Sequence, residues 1–422
     1  MTDQEQKEGK ISIILTPDTE GIKKVFGVPA ARRLALLCTQ IGFGEIHIVG
    51  GTDHFKELLS DLAAPDGFHP VGDPGGLDDA ANAILASHPR PEGGKILVMR
   101  ADLVVDKANL QNLAQMGEEP QIPCLESDGR GARIFLSSYR NLAAVMKQAW
   151  TLGGNSGDTC SELSILSGKN GLPCRLKGAG NGKNAERKLV DAIRAQTKAT
   201  DGFMSRHVSR HISLMMSTRL ALTRVTPNQV TLVGAGIGLL GAFFIAQGGY
   251  WHQLAGCLLF LFCIIIDGID GEIARMKLQE SEFGHKLDII TDNIVHVAIF
   301  SGLAAGCYRQ TGDHLYIQLL AVLLGGFALC GAVVYLRLLK PEVESFRSPA
   351  LGRLLTMMSN RDFAYLMVLL AAVGRLNWFL IGAAFGSYIF AAALWMATGA
   401  EKNVSAAART DSEMPTRREN EG

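Results

Sequence analysis

The chain has no excess of either charge: 41 Lys and Arg stand against 41 Asp and Glu in 422 residues. Nothing here supplies the basic stripe of a nucleic-acid-binding protein, and no nucleic-acid partner is expected. Cysteine is sparse and never spaced as CxxC; the eight fall at 38, 124, 160, 174, 257, 263, 307 and 330. That argues against a zinc site or a disulfide framework and for reduced packing residues. The opening MTDQEQKEGK lacks an apolar h-region, so no cleaved signal peptide is predicted. Long apolar runs are missing from the first 200 residues and recur after Thr226. A hydrophobic content of 47% excludes disorder across the whole chain. Only the tail, 399–422, is polar and charged enough to be expected as a disordered cytoplasmic segment.

What is present divides the chain. Val230–Ala246 reads VTLVGAGIGLLGAFFIA without a charge, and similar runs follow near 251–266, 289–306, 315–336, 363–374 and 378–397. A bilayer core takes about 20 helical residues, so six spanning helices are predicted. The fifth is short and would have to start near Leu354 to cross. Loop charge orients them. Arg206, Arg210, Arg219 and Arg224 precede the first span, and Arg275, Lys277 and Lys286 lie between spans two and three. Arg337, Lys340, Arg347, Arg353 and Arg361 lie between spans four and five. The opposite loops hold only Arg309 and Arg375, so both termini are expected on the cytoplasmic side of the inner membrane. Before the first span, 201–225 is basic, with Met204, Val208, Ile212 and Met215 on one stripe, as in an interfacial amphipathic helix. The domains expected are thus 1–200 soluble, 201–225 interfacial, 226–398 all-α membrane and 399–422 tail.

In the soluble part, ISIIL (Ile11–Leu15), EIHIVG (Glu45–Gly50) and KILVM (Lys95–Met99) read as strands. Ala30–Ile41 and Phe55–Leu62 carry helical spacing. The alternation predicts an α/β domain with a largely parallel sheet. Asp102 follows the third strand, at the end of the sheet where ligands bind. The order of elements, with VFGVPAARRLALLCTQIGFGEIHIVGG, resembles sugar-phosphate nucleotidyltransferases. That resemblance implies a metal-binding role for Asp102, with Lys23 or Lys24 in the place of the family lysine. TPDTEGIKK replaces the Gly-rich, Arg-containing triphosphate loop, and GAGNGKNAERKL offers no second metal carboxylate. A degenerate scaffold or regulatory domain is the expectation.

The most informative stretch is IIIDGIDGEIARMKLQESEFGHKLDIITDNIVHVAIF. Asp267 and Asp270 are i,i+3, while Gly284, Asp288 and Asp292 are spaced by four, so each set shares a helix face. Carboxylates at membrane depth face a polar interior. Four together repel unless cations lie between them, and oxygen ligands suit Mg²⁺ or Mn²⁺. An acidic loop or a transporter's ion pathway is the alternative. The pattern Asp267-x2-Asp270-Gly271-x2-Ala274-Arg275-x8-Gly284-x3-Asp288-x3-Asp292 resembles the CDP-alcohol phosphotransferase signature, over about 200–398. The resemblance implies a two-metal site on all four aspartates, with Asp292 also the general base. Gly271, Ala274 and Gly284 would make room for the CDP-alcohol, and Arg275 would approach its phosphates. Pro227, Asn228 and Thr231 match the family's Pro-Asn-x-x-Thr element and would help seat the CDP. A hydroxyl acceptor, CMP release and a homodimer are also implied.

TDG-x-x-SRH-x-x-R at Thr200–Arg210 resembles two-domain inositol-phosphate proteins, which make CDP-inositol and di-inositol-phosphate phosphate. A bifunctional enzyme and an inactive membrane-tethered regulator are therefore the other readings. Arg206, Arg210 and Arg361 are candidates for an acceptor phosphate or for lipid headgroups. His207 and His211 are i,i+4 without a carboxylate or Cys partner. His296, one turn beyond Asp292, is a proton relay or a packed neutral imidazole. Gly234, Gly236 and Gly302 are read as close helix contacts.

Overall fold

The computed structural model describes residues 10–17, 19–43, 45–50, 53–63, 67–71, 74–87, 95–116, 122–127, 132–137, 141–151, 163–176, 181–197, 209–338 and 362–412. Contacts divide the chain into two units. The first is Met1–Gln196 with Thr218–Arg224 and Glu272–Gln279; the second is Thr197–Ser217, Val225–Gly271 and Glu280–Gly422.

In the first unit the strands are β1 (Lys10–Thr16), β2 (Lys24–Val25), β3 (Val28–Pro29), β4 (Glu45–Gly50), β5 (Phe68–His69) and β6 (Lys95–Arg100). They continue as β7 (Leu103–Val104), β8 (Ile122–Ser127), β9 (Ala132–Ser137), β10 (Leu163–Ser167) and β11 (Cys174–Arg175). Seven form one sheet in the order β10-β8-β9-β6-β1-β4-β5. β1 pairs in parallel with β4 and β6, whereas β9 runs antiparallel to both β6 and β8. The parallel expectation holds for the three strands read from sequence. The short link from β8 to β9 permits the antiparallel insertion.

Both faces of this sheet are covered, which explains why its strands are apolar throughout. Ile14 of β1 packs with α1 (Ala30–Gln40), α2 (Asp53–Leu59) and α4 (Lys107–Ala114) through Leu34, Phe55 and Leu110. Ile13 and Leu15 pack on the other face with α3 (Leu77–Ser87) and α5 (Leu142–Thr151) through Leu77, Ile84 and Met146. α6 (Asn181–Thr197) follows the last strand.

Helix α7 (Arg210–Ala221) leads into the apolar helices. Its Ile212 and Met215 are exposed and its Ser213, Leu214 and Ser217 buried, while Met204 and Val208 lie outside the described residues. Then come α8 (Pro227–Ala246), α9 (Tyr250–Lys277), α10 (Glu282–Thr311), α11 (Leu315–Leu338), α12 (Phe363–Ala372) and α13 (Asn377–Ser412). Among the described residues five helices are long and apolar enough to cross a membrane: α8, α9, α10, α11 and α13. The predicted fifth span is the ten-residue α12; the earlier start it would need falls outside the described residues. Helix α13 runs through Ser412, into the segment expected to be disordered. The run Ala406–Ala408 favours helix there despite the charged residues around it.

Small residues let these helices approach closely. A Cβ on Gly302 of α10 would lie 2.5 Å from the Ala242 carbonyl oxygen of α8. A Cβ on Gly234 would meet Ile266 at 3.1 Å, as expected of a helix contact. Gly236 does not fit that expectation: it is exposed and nothing lies within 4 Å of its Cβ position. It is two residues from Gly234, on another side of the helix.

Seven described cysteines are free thiols: Cys38, Cys124, Cys174, Cys257, Cys263, Cys307 and Cys330; Cys160 lies outside the described residues.

Candidate active site

The site grows from helix starts and stops. Thr226 caps α8 in a reciprocal box with Gln229, and Pro227 occupies the first turn, where its missing N–H costs nothing. Ser281 caps α10, its hydroxyl accepting from the Gly284 N–H at 3.0 Å. A Cβ on Gly284 would sit 3.1 Å from both Asn228 Oδ1 and Ser281 Oγ. Asn228 and Gly284 therefore stand side by side, and a Cβ at 284 would push these side chains back by a few tenths of an ångström.

About two to three turns from the end of α9 and from the start of α10 stand the acids. Asp267, Asp288 and Asp292 each offer a carboxylate oxygen, and these oxygens lie within 4.8 Å of one another. Asp288 Oδ1 is buried and makes no hydrogen bond. Asp270 is 6% exposed and held differently. Its Oδ2 is 2.5 Å from Thr231 Oγ1, and its Oδ1 accepts from the Gly271 N–H at 2.5 Å. It still feels the charges of Asp288 and Asp292. Three clustered carboxylates with one orphaned oxygen fit a hard divalent cation. The fourth carboxylate lies beside that group, already hydrogen-bonded.

The structure brings together more than sequence spacing indicated. Thr231, matched to the family's first-span element, is the hydroxyl partner of Asp270, 39 residues away. The pairing across helices leaves no local signal. His285 lies close enough to Asp288 for its charge to matter. His296 Nδ1 is 2.7 Å from the Asp292 carbonyl oxygen, and its ring packs edge-on against Phe260. Phe363 lies at a tilt to the same ring. Arg275 Nε is buried and unbonded. Ala274 and Gly271 are half-buried on the same helix. Arg210 is half-buried at the start of α7 and His211 is exposed, while Arg206, His207 and Arg361 lie outside the described residues.

In the first unit Asp102 is 1% exposed and fully engaged. Arg100 Nε is 3.1 Å from Oδ1 and Arg175 Nε donates to Oδ2 at 2.8 Å. A cation there would have to displace two guanidinium groups. Lys23 pairs with Glu20 and donates to the Leu176 carbonyl at 3.3 Å, whereas Lys24 is exposed.

Residues 224–398 match the model of the CDP-alcohol phosphatidyltransferase family. A bifunctional IPC transferase and DIPP synthase of Thermococcus kodakarensis is 38% identical over 142 residues, 33% of this chain and 31% of that protein. The protein of the same name from Rubrobacter xylanophilus is 34% identical over 214 residues, 49% of this chain and 46% of that protein. The chain thus spans less than half the length of these curated relatives. The crystal structure of Mycobacterium tuberculosis phosphatidylinositol phosphate synthase with CDP-DAG bound is 20% identical, covering 44% of this chain and 90% of that one, with a TM-score of 0.32. All eight signature positions lie within the matched residues 224–398, and three of their acids converge.

Proposed function

We propose that this chain is an integral-membrane CDP-alcohol phosphotransferase that passes a substituted phosphate from a CDP-alcohol to an acceptor hydroxyl and releases CMP. The observation that carries the reading is the meeting of Asp267, Asp288 and Asp292 within 4.8 Å inside the intact signature. Asp267, Asp288 and Asp292, with Asp270 beside them, would hold Mg²⁺ or Mn²⁺. Bound there, such ions supply positive charge against the diphosphate. Asp292 takes the proton of the acceptor hydroxyl as its oxygen attacks the phosphate and the bond to CMP breaks. Pro227, Asn228 and Thr231 seat the CDP. Gly271, Ala274 and Gly284 leave room for it, and Arg275 faces its phosphates. The Arg-rich loops favour a cytoplasmic setting for this chemistry. The names of the relatives direct the choice of substrates to inositol phosphates.

The test is CMP release from membranes containing the full chain, with CDP-diacylglycerol or CDP-inositol as donor and inositol phosphate as acceptor. Asp292→Ala is expected to abolish release while membrane insertion persists. Full activity in that variant refutes the assignment of the base. The relatives' double name also favours a second reading, in which the soluble unit makes its own CDP-polyol. Pyrophosphate release from CTP and inositol phosphate by the full chain would support it. The engagement of Asp102 by two arginines weighs against it.

A further inference from the structure

The first unit contains the end of the signature helix, because Glu272–Gln279 belongs to it. A helix end leaves its last four carbonyls without intrahelical partners. Here each of three finds one. The Gln279 N–H donates to the Ala274 carbonyl at 2.8 Å and the Leu278 N–H to the Arg275 carbonyl at 3.4 Å. Leu278 adopts φ 56°, so this is a left-handed helix stop of the kind usually built on glycine. A leucine is kept there by its side chain, which packs on the apolar cluster containing Leu34, Leu37 and Phe43. The next carbonyl, that of Met276, accepts from Arg33 Nη1. Arg33 is 4% exposed, in helix α1. Burial brings its pKa down to about 10, opposed by Glu186, so it remains a cation at neutral pH. A buried cation at the negative end of a helix dipole is stabilising. Lys277 adds a second tie, donating to the Thr223 carbonyl at 2.7 Å.

Asp267 and Asp270 lie nine and six residues before Met276 on the same unbroken helix. At about 1.5 Å per residue, that is roughly 13 and 9 Å along the axis. The helix end and these acids therefore belong to one continuous element. We propose that the soluble unit serves as a clamp on the signature helix, with Arg33 its positioning residue and Leu278 its apolar plug. This use needs no nucleotide chemistry in the soluble domain, and it rests on the phosphotransferase reading only for its effect on turnover.

The test uses the full chain in nanodiscs, comparing wild type with Arg33→Met, Arg33→Lys and Leu278→Ala. Amide hydrogen exchange is read over 272–280, and Mn²⁺ is titrated alone by electron paramagnetic resonance. In Arg33→Met, exchange over 272–280 should quicken roughly tenfold to a hundredfold, the loss expected for one charged hydrogen bond. Exchange in β1 and β6 should hold. Mn²⁺ affinity should fall several-fold, and CMP release should fall through kcat more than KM. Arg33→Lys should recover part of each, and Leu278→Ala should loosen the same amides should Arg33→Met not accumulate. Exchange and Mn²⁺ affinity within twofold of wild type in these variants overturn the clamp. A wild-type chain that neither binds Mn²⁺ nor releases CMP ends the phosphotransferase reading, while exchange over 272–280 still decides the clamp.

Discussion

Replacing Thr231 by Val removes one hydroxyl at nearly constant shape. That hydroxyl lies 2.5 Å from Asp270 Oδ2 and 3.2 Å from the Pro227 carbonyl oxygen, and its single proton can serve one of them at a time. Asp270 and Thr231 are 6% and 8% exposed, so water is poorly placed to substitute. A hydrogen bond to a charged group is worth about 1.5–3 kcal/mol. At about 1.4 kcal/mol per factor of ten, the variant should lose roughly 10- to 150-fold in kcat/KM for CMP release, if the carboxylate is freed to turn from the site. Thr231→Ser keeps the proton and should stay within a few-fold of wild type. The assay is CMP release from membranes with equal amounts of inserted protein, checked by an unchanged melting midpoint. A Thr231→Val enzyme within twofold of wild type would show that Asp270 needs no such tether, and the pairing would then be packing alone.

Three further outcomes follow from the geometry. Gly302→Ala drives a methyl to 2.5 Å from the Ala242 carbonyl and should cost about 1–3 kcal/mol, read as a lower melting midpoint in detergent; an unchanged midpoint refutes the close packing of α8 and α10. The Cys38 and Cys124 thiols are pushed up to about 12 by burial, leaving on the order of one in ten thousand ionised at pH 8, so maleimide should label them only after unfolding. Labelling of either within minutes in the folded chain contradicts the buried sheet. Asp102→Asn leaves Arg100 and Arg175 without their shared anion and should destabilise the first unit by about 3–5 kcal/mol in urea unfolding, whereas a metal ligand alone would leave stability nearly untouched.

The parts of this molecule that repeat with a period were legible in its sequence. Apolar runs marked α8 to α11, and the i,i+3 and i,i+4 acids marked two helix faces, because periodicity is local. Strands β1, β4 and β6 stood out for the same reason: buried on both faces, they read as unbroken apolar runs. Antiparallel β9 did not, since its place depends on β6 and β8, distant partners that leave no trace within ARIFLS. The tether of Asp270 to Thr231 and of Met276 to Arg33 spans 39 and 243 residues, and no spacing rule reaches that far. Gly236 shows the converse failure: a glycine in an apolar run signals a close contact only if it lies on the packed face.

The acid cluster itself sets the last expectation. Three carboxylate oxygens within 4.8 Å of one another repel by at least about 3 kcal/mol per pair at an effective dielectric of about 20. Salt bridges in the first unit offset such terms with arginines, as at Asp102, but here Asp288 Oδ1 has no hydrogen-bond partner. A divalent cation bound to the folded site should therefore raise the melting midpoint, with a stabilisation that grows as the logarithm of its concentration above Kd. Titrating Mg²⁺ or Mn²⁺ into chelator-treated protein should shift the midpoint upward by several degrees. Asp288→Asn should melt higher than wild type in chelator, because one repelling charge is gone, and should respond weakly to the ion. Both signs must appear together. A variant that melts lower in chelator yet keeps the full response to Mg²⁺ would mean that the three acids do not share one ion.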